Sequence, residues 1–254
     1  MYSILCDYDG TLIKDNGEID DKYIDELHDI CNNNHFFLLS SSSYNELLKF
    51  KKKYSLNINI FSLTSNICLI NNEMIISRIP KNIINTLIQL YNRYIYTAYS
   101  ESENDVVIYR YQERLEVFYP KGDRKIETII HDDRPSITFA IDNEGVDSFY
   151  NKIHSLRLGY KSLGKDKNRE LITIYQKHIS KSDGYYYIKN KYPDDKIISI
   201  SDSIFDYDMF EKSDIKIAMR NADMELKNRS EIITQYDNNE SGAIRALYNI
   251  CHLK

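Results

Sequence analysis

Tryptophan is absent from this 254-residue chain, and proline and cysteine occur only four times each. So few prolines leave few positions where regular structure is rigidly broken. The cysteines, Cys6, Cys31, Cys68 and Cys251, are scattered without metal-ligand spacing, and two of them lie in apolar runs. They are expected to be buried thiols in a reducing compartment, the cytoplasm. No apolar stretch approaches the ~20 residues needed to span a bilayer. The first residues lack a charged, then apolar, signal-peptide pattern, so neither membrane nor secretion is expected. The net charge of −5 argues against general nucleic-acid affinity, which usually needs a concentrated basic face. What remains is a composition with 42% hydrophobic residues, enough to build the core of one large domain or two modest ones.

The first third alternates strand and helix. The apolar run Tyr2-Ser3-Ile4-Leu5-Cys6 stops at Asp7-Tyr8-Asp9-Gly10-Thr11, and Tyr23, Ile24, Leu27, Ile30 and Cys31 then fall at helical spacing. A second run, Phe36-Phe37-Leu38-Leu39, ends in four serines, Ser40 to Ser43. Residues 44–54 read as a helix, and short strands at 59–61 and 68–70 flank a polar turn, Thr64-Ser65-Asn66. The middle differs: a helix over 82–91 precedes predicted strands at 94–99, 106–111, 115–119 and 137–141. Two of these are joined by only Gln112 to Arg114, which predicts a hairpin. A helix carrying Val146, Phe149, Tyr150, Ile153 and Leu156 follows. The last third returns to alternation, with a helix after Ser180-Lys181 and apolar runs ending at Ser201-Asp202 and Arg220-Asn221. The order predicts an α/β fold, a parallel-sheet core from residues 1–79 and 172–254 with an inserted α+β domain over 80–171.

Four apolar strands, far apart in sequence, thus end in polar residues. In a parallel sheet such ends converge on one crevice, where ligands sit. The crevice would collect Asp7, Asp9, Thr11, Ser41, Asp202, Asp206 and Lys181, with Ser40 or Ser42 able to take the place of Ser41. Two carboxylates ~4 Å apart repel by about 4 kcal/mol at an effective dielectric of ~20. The Asp7–Asp9 pair therefore asks for a cation. Carboxylate sites with open positions suit Mg²⁺, bound through one or two carboxylates plus phosphate and water. A carboxylate held against such a phosphate can act as a covalent nucleophile, while hydroxyls and a lysine orient the phosphate oxygens. An ordinary Asp-Gly turn would explain the first acids alone, but not the other strand ends in step with them.

Read in order, these segments resemble the motifs of the haloacid dehalogenase superfamily of phosphatases. DYDGTL resembles the first motif, the serine run after FFLL the second, ISKSDG the lysine motif, and SDSIFDYDMF the acidic motif G-D-x-x-N-D-x-x-M. The tail from Ile215 to Leu247 looks like the closing segment of the Cof-type subclass, often called IIB, and SLTSNICLINNEMI resembles the turn that precedes its cap. The resemblance implies a Rossmann-like core with an α+β cap. It implies a Mg²⁺-dependent phosphatase, monomer or homodimer, acting on a small phosphorylated metabolite, commonly a sugar phosphate. Asp7 would be the nucleophile that forms a phosphoaspartyl intermediate, and Asp9 the acid that becomes a base. Thr11, Ser41 and Lys181 would bind phosphate, and Asp7, Asp9 (through its backbone carbonyl), Asp202 and Asp206 would hold or support the metal.

The chain also departs from the pattern. Phe205 replaces the Asn of the acidic motif, Ser201 a Gly, and Ser43 stands where many relatives have Arg. Arg220, where a Gly is common, is a candidate to restore the lost positive charge. These departures keep two alternatives open, a phosphomutase using the same residues and a degenerate binder of a phosphorylated ligand. Tyr109-Arg110-Tyr111 and Arg114 are expected to be ordinary sheet surface rather than substrate contacts, and the histidines form no ligand-like pair.

Overall fold

The apolar runs form strands buried on both faces. In the computed structural model, β1 (Tyr2–Asp7), β2 (His35–Ser40), β3 (Asn59–Ser62), β4 (Ile67–Ile70) and β5 (Glu73–Ile76) come first. A second group follows: β6 (Ile95–Glu101), β7 (Val106–Tyr109), β8 (Arg124–Glu127), β9 (Ser136–Asp142), β10 (Leu158–Lys165) and β11 (Arg169–Gln176). Then β12 (Lys196–Ser201), β13 (Ile215–Ala218) and β14 (Ile232–Ile233) close the chain. The structure describes all residues except 63–65, 121–123, 177–180 and 253–254, and only the backbone at 117–118 and 181–183.

Among the described residues, one sheet runs β14-β13-β12-β1-β2-β3-β4-β5 and the other β10-β11-β9-β6-β7-β8. From β14 to β3 the first sheet is parallel, and β4 and β5 add an antiparallel edge. Alternation explains why its strands read as unbroken apolar runs. Ile4, Cys6, Phe36, Leu38, Ile198 and Ile200 join one core cluster, while Leu5, Phe37, Leu39 and Ile197 join another on the opposite face. Helices cover both faces, as a parallel sheet requires. Asn71 and Asn72, both with positive φ, make the two-residue turn between β4 and β5.

The second sheet is the inserted cap. Helices Lys81–Leu90 and Asn143–Ser155 pack on one of its faces through Ile84, Leu87, Val146, Phe149 and Ile153. Three expectations need correction here. Residues 115–119 do not form a strand, because Glu113–Phe118 is a 3-10 helix that puts Leu115 and Tyr119, four apart, into the core. Arg110 turns to φ 53, ending β7, so the predicted hairpin is absent; β7 instead pairs parallel with β8. The boundary expected at 171/172 falls inside β11, which belongs to the second sheet through Gln176. Among the described residues, no helix is long and apolar enough to cross a membrane.

A buried ion pair ties the entry to the cap. Arg134 pairs with Ile79 by backbone hydrogen bonds of 2.7 and 3.1 Å, and its guanidinium donates to Asp105 Oδ1 at 2.7 Å and Ser100 Oγ at 2.9 Å. Burial alone would raise the Asp105 carboxyl, but Lys125 and Arg134 outweigh it and hold the group down at about 2. An unfolded Asp titrates near ~3.9, so this stabilisation is complete above about pH 4 and is lost as pH falls through about 2. Thermal melts from pH 5 to pH 2 should show that loss in the wild type and a shallower one in Asp105→Asn. Equal slopes in the two proteins would refute the assignment.

Candidate active site

β1 is where the sheet changes direction: the chain leaves it for β2 on one side, and β12 lies on the other. Crevices at such switch points are where open α/β sheets bind ligands. Asp7 ends β1 there, nearly buried at 7% exposure. The next five residues, Tyr8–Leu12, form a tight turn. Tyr8 drives its ring into the core against Phe50, with centroids 5.0 Å apart at 77°. With Tyr8 inward, the acids on either side of it can address the crevice. This explains the Asp-x-Asp spacing: a buried anchor lies between two functional carboxylates.

Asp202 follows β12 and meets this turn. The Thr11 hydroxyl lies 3.4 Å from Asp7 Oδ2 and 3.3 Å from Asp202 Oδ1; having one proton, it donates to one at a time. Gly10 has φ +68, and a Cβ on it would stand 2.3 Å from Asp202 Oδ2. Only glycine lets that carboxylate come so close. Burial raises the Asp202 carboxyl above its usual range and the Asp206 charge adds to this, while the hydrogen bond from Thr11 opposes it. Asp206 is buried and accepts from Ser201 Oγ at 2.6 Å. The serine in place of a motif glycine therefore has a task, holding the second acid of this loop.

The serines of the run meet different surroundings. Ser41 is exposed, whereas Ser42 Oγ donates to Asp9 Oδ2 at 3.0 Å and Ser40 Oγ lies 3.4 Å from the same oxygen. Asp7 pairs in register with Leu39, so Ser40 stands one step beyond it at the crevice. Ser43 caps the helix Tyr44–Lys53, accepting from Glu46 N at 3.2 Å. Ser180 and the Lys181 side chain lie outside the described residues, as do Thr64 and Ser65; only the backbone of Lys181, opening the helix Lys181–Lys191, is placed.

Two further residues show their roles only in three dimensions. Asn221 Nδ2 donates to the Gly10 carbonyl at 2.8 Å, and Asn238 Nδ2 to the Ile13 carbonyl at 3.1 Å, so the last loops brace the Tyr8–Leu12 turn at its middle and just past its end. Nothing in the local sequence marks Asn238 for this. Arg220 does not restore a charge to the crevice: it lies 3.7 Å from Glu240 and donates to the Gln235 carbonyl. Phe205 is 93% exposed, so its ring replaces the motif Asn with an aromatic surface facing solvent.

The donors fit Mg²⁺. Asp7, Asp202 and Thr11 bring hard oxygens together around a glycine cradle that a side chain would fill. Among the described residues, no three His, Cys, Asp or Glu side chains form a full metal cage. The Asp9 carboxylate is engaged by Ser42, which leaves its backbone carbonyl as the expected metal contact, and Asp206 is held by Ser201. One or two carboxylates plus substrate oxygens are the usual Mg²⁺ arrangement, and Asp7 with Asp202 supplies it.

The fold and site define a capped α/β protein with an acidic crevice at its switch point. Residues 4–247 match the model of the haloacid dehalogenase-like hydrolases, and the chain belongs to that family. Among solved structures, TM0651 from Thermotoga maritima superposes with a TM-score of 0.81 at 19% identity, covering 98% of this chain and 97% of that one. A haloacid dehalogenase-like hydrolase from Bacteroides thetaiotaomicron gives 0.77 at 16% identity, over 98% and 100%. The subclass IIB sugar phosphatase BT4131 gives 0.68 at 15%, over 99% of each chain. A comparison with curated proteins finds no match.

Proposed function

We propose that the protein is a Mg²⁺-dependent phosphatase that hydrolyses a small phosphomonoester in the cytoplasm through a phosphoaspartyl intermediate on Asp7. The observation that carries this reading is the meeting of Asp7, Thr11 and Asp202 around Gly10. When bound by Asp7 and Asp202, Mg²⁺ supplies positive charge against the phosphate oxygens. An Asp7 carboxylate oxygen attacks phosphorus as the bond to the ester oxygen breaks, and Asp9 gives that oxygen its proton. Asp9 then takes a proton from the water that cleaves the phosphoaspartate, restoring both groups. The Ser42 and Ser40 hydroxyls hold the Asp9 carboxylate in place for both transfers. Lys181 remains the expected phosphate cation. A sugar phosphate suits this reading, since one structure of similar fold is a sugar phosphatase.

The test is phosphate release from p-nitrophenyl phosphate and a panel of sugar phosphates, nucleotides and cofactor phosphates. Activity is expected with Mg²⁺ and should vanish in excess chelator; an undiminished rate in chelator would overturn the mechanism. A phosphomutase would use the same residues and would show itself as transfer between sugar hydroxyls with little free phosphate.

A further inference from the structure

Among the described residues the two sheets have four edges, β14 and β5 on the first, β10 and β8 on the second. An edge strand presents unpaired backbone N–H and C=O groups and invites another strand unless something blunts it. β10 is blunted: Lys161 and Lys165 lie along it, and a bulge between Ser162 and Gly164 breaks its register. β14 has only two residues. β5 exposes Met74 and Ile75, but Glu73 is its one charge, so no cation in a second copy of it would fix a register. β8 lacks these defences. Among the described residues its backbone pairs with β7 alone, and Ile126 in its middle is 67% exposed.

The pairing of β8 with β7 settles which way its side chains point. Lys125 lies beside Val107 and Glu127 beside Tyr109, and both of those belong to the core under the cap helices. Ile126 lies beside Ile108, on the opposite face. Two copies meeting edge to edge about a two-fold axis normal to the sheet pair antiparallel, and residues directly opposite each other share a face. The axis must then pass beside a residue and not between two, because a one-residue slip sends every side chain to the wrong face. Set at Ile126, it places Ile126 against its own copy and each Lys125 against Glu127 of the partner subunit. Set at Lys125 it would oppose two lysines, and set at Glu127 two glutamates, and like charges directly opposite destabilise a pair of strands. Charge thus selects one register. Lys125 Nζ lies 2.9 Å from Asp105 Oδ2 and its side chain is mostly exposed, so the ammonium keeps donors for a second carboxylate. Among the described residues no hydrogen bond or ion pair within the chain engages Glu127.

We propose that β8 is a homodimer interface, two copies of the chain pairing antiparallel about Ile126 so that their six-stranded cap sheets become one continuous sheet. The two Ile126 side chains cover each other on one face, and two Lys125–Glu127 pairs flank the axis on the other. No residue of the Asp7 crevice takes part, so the interface stands or falls independently of the phosphatase reading. A four-residue strand makes a small contact. The dimer should therefore be weak, with a Kd on the order of 10–100 µM.

Sedimentation equilibrium of the full chain from about 5 to 500 µM reads that constant. Glu127→Lys and Lys125→Glu should each raise the Kd by roughly 10-fold, because each turns two attractive cross-strand pairs into two repulsive ones. Mixed in equal amounts, the two variants restore both pairs between unlike chains and should associate within ~3-fold of wild type. Lys125→Glu also loses the Asp105 contact within its own chain, so Ile126→Cys serves as an independent probe. Mild oxidation should link that variant into a covalent dimer, since directly opposed residues lie ~4.5–5.5 Å apart between Cα atoms, inside disulfide range. Wild type is the control, three of its four cysteines being buried. A wild type that stays monomeric at ~500 µM would overturn the proposal and leave this edge to a strand of another protein. So would Ile126→Cys that stays unlinked. A dimer indifferent to both charge reversals, or a mixture no tighter than either variant alone, would also overturn it and point to another edge such as β5.

Discussion

Asp7→Asn should lower Mg²⁺-dependent phosphate release by at least ~10⁴-fold in kcat and leave the fold intact. The amide has the shape of the carboxylate but cannot form the phosphoaspartate, and loss of a nucleophile or its base costs other covalent enzymes about 10⁴–10⁶-fold. Asp7 is nearly buried at the end of β1, where its neighbours Leu5, Cys6 and Leu39 are buried too. An isosteric change there keeps that packing, and the melting temperature should stay within about 4 °C, the scale of about 1 kcal/mol for a chain this long. A second readout separates chemistry from binding. A ligand that binds only the folded state raises its stability by mass action, so Mg²⁺ should raise the melting temperature of wild type. The rise should shrink in Asp7→Asn, which keeps one ligand oxygen and loses the charge. Residual activity above ~1% of wild type, or collapse of the fold, would reject Asp7 as the nucleophile.

The parts of this molecule that read from sequence are those where one physical constraint dominates. β1, β2, β12 and β13 are buried on both faces, so their composition alone marks them and their polar ends mark the crevice. Asp7, Thr11 and Asp202 follow from that rule, and the structure brings them within hydrogen-bond reach of one another. The cap is harder because its elements are half-solvated. β10 carries polar residues on both faces, with Lys161, Ser162 and Lys165 among them, and offers no alternation to detect. The 3-10 helix at Glu113–Phe118 and the residue after it carry apolar residues at Leu115, Val117 and Tyr119, a spacing that also fits a strand. At the serines, four identical residues differ only in where the chain carries them past the strand end, which is a tertiary property: Ser40 and Ser42 reach Asp9. Asn221 and Asn238 reach back more than two hundred residues to the first turn, a contact no local pattern encodes.

Gly10→Ala should be nearly as damaging to activity as losing a catalytic group, though it removes no functional atom. Two costs coincide at this position. The backbone sits at φ +68, where a residue with a Cβ is strained by roughly 1–2 kcal/mol. The new methyl would also stand 2.3 Å from Asp202 Oδ2 and 2.9 Å from its Cγ, so the carboxylate must move. A shift of about 1 Å in a positioning group can cost about 10²-fold in rate, and the pairing of Asp202 with Thr11 and Asp7 leaves it no second place in which to do the same work. Gly17→Ala provides the control. Its φ of +80 carries the same backbone strain, but nothing lies within 4 Å of the added carbon. Both variants should lose roughly 2–8 °C in melting temperature, while only Gly10→Ala loses ~10²-fold or more in kcat and demands higher Mg²⁺ for half-maximal rate. Equal activity in the two variants would mean that the approach of Asp202 to the turn is packing without catalytic consequence.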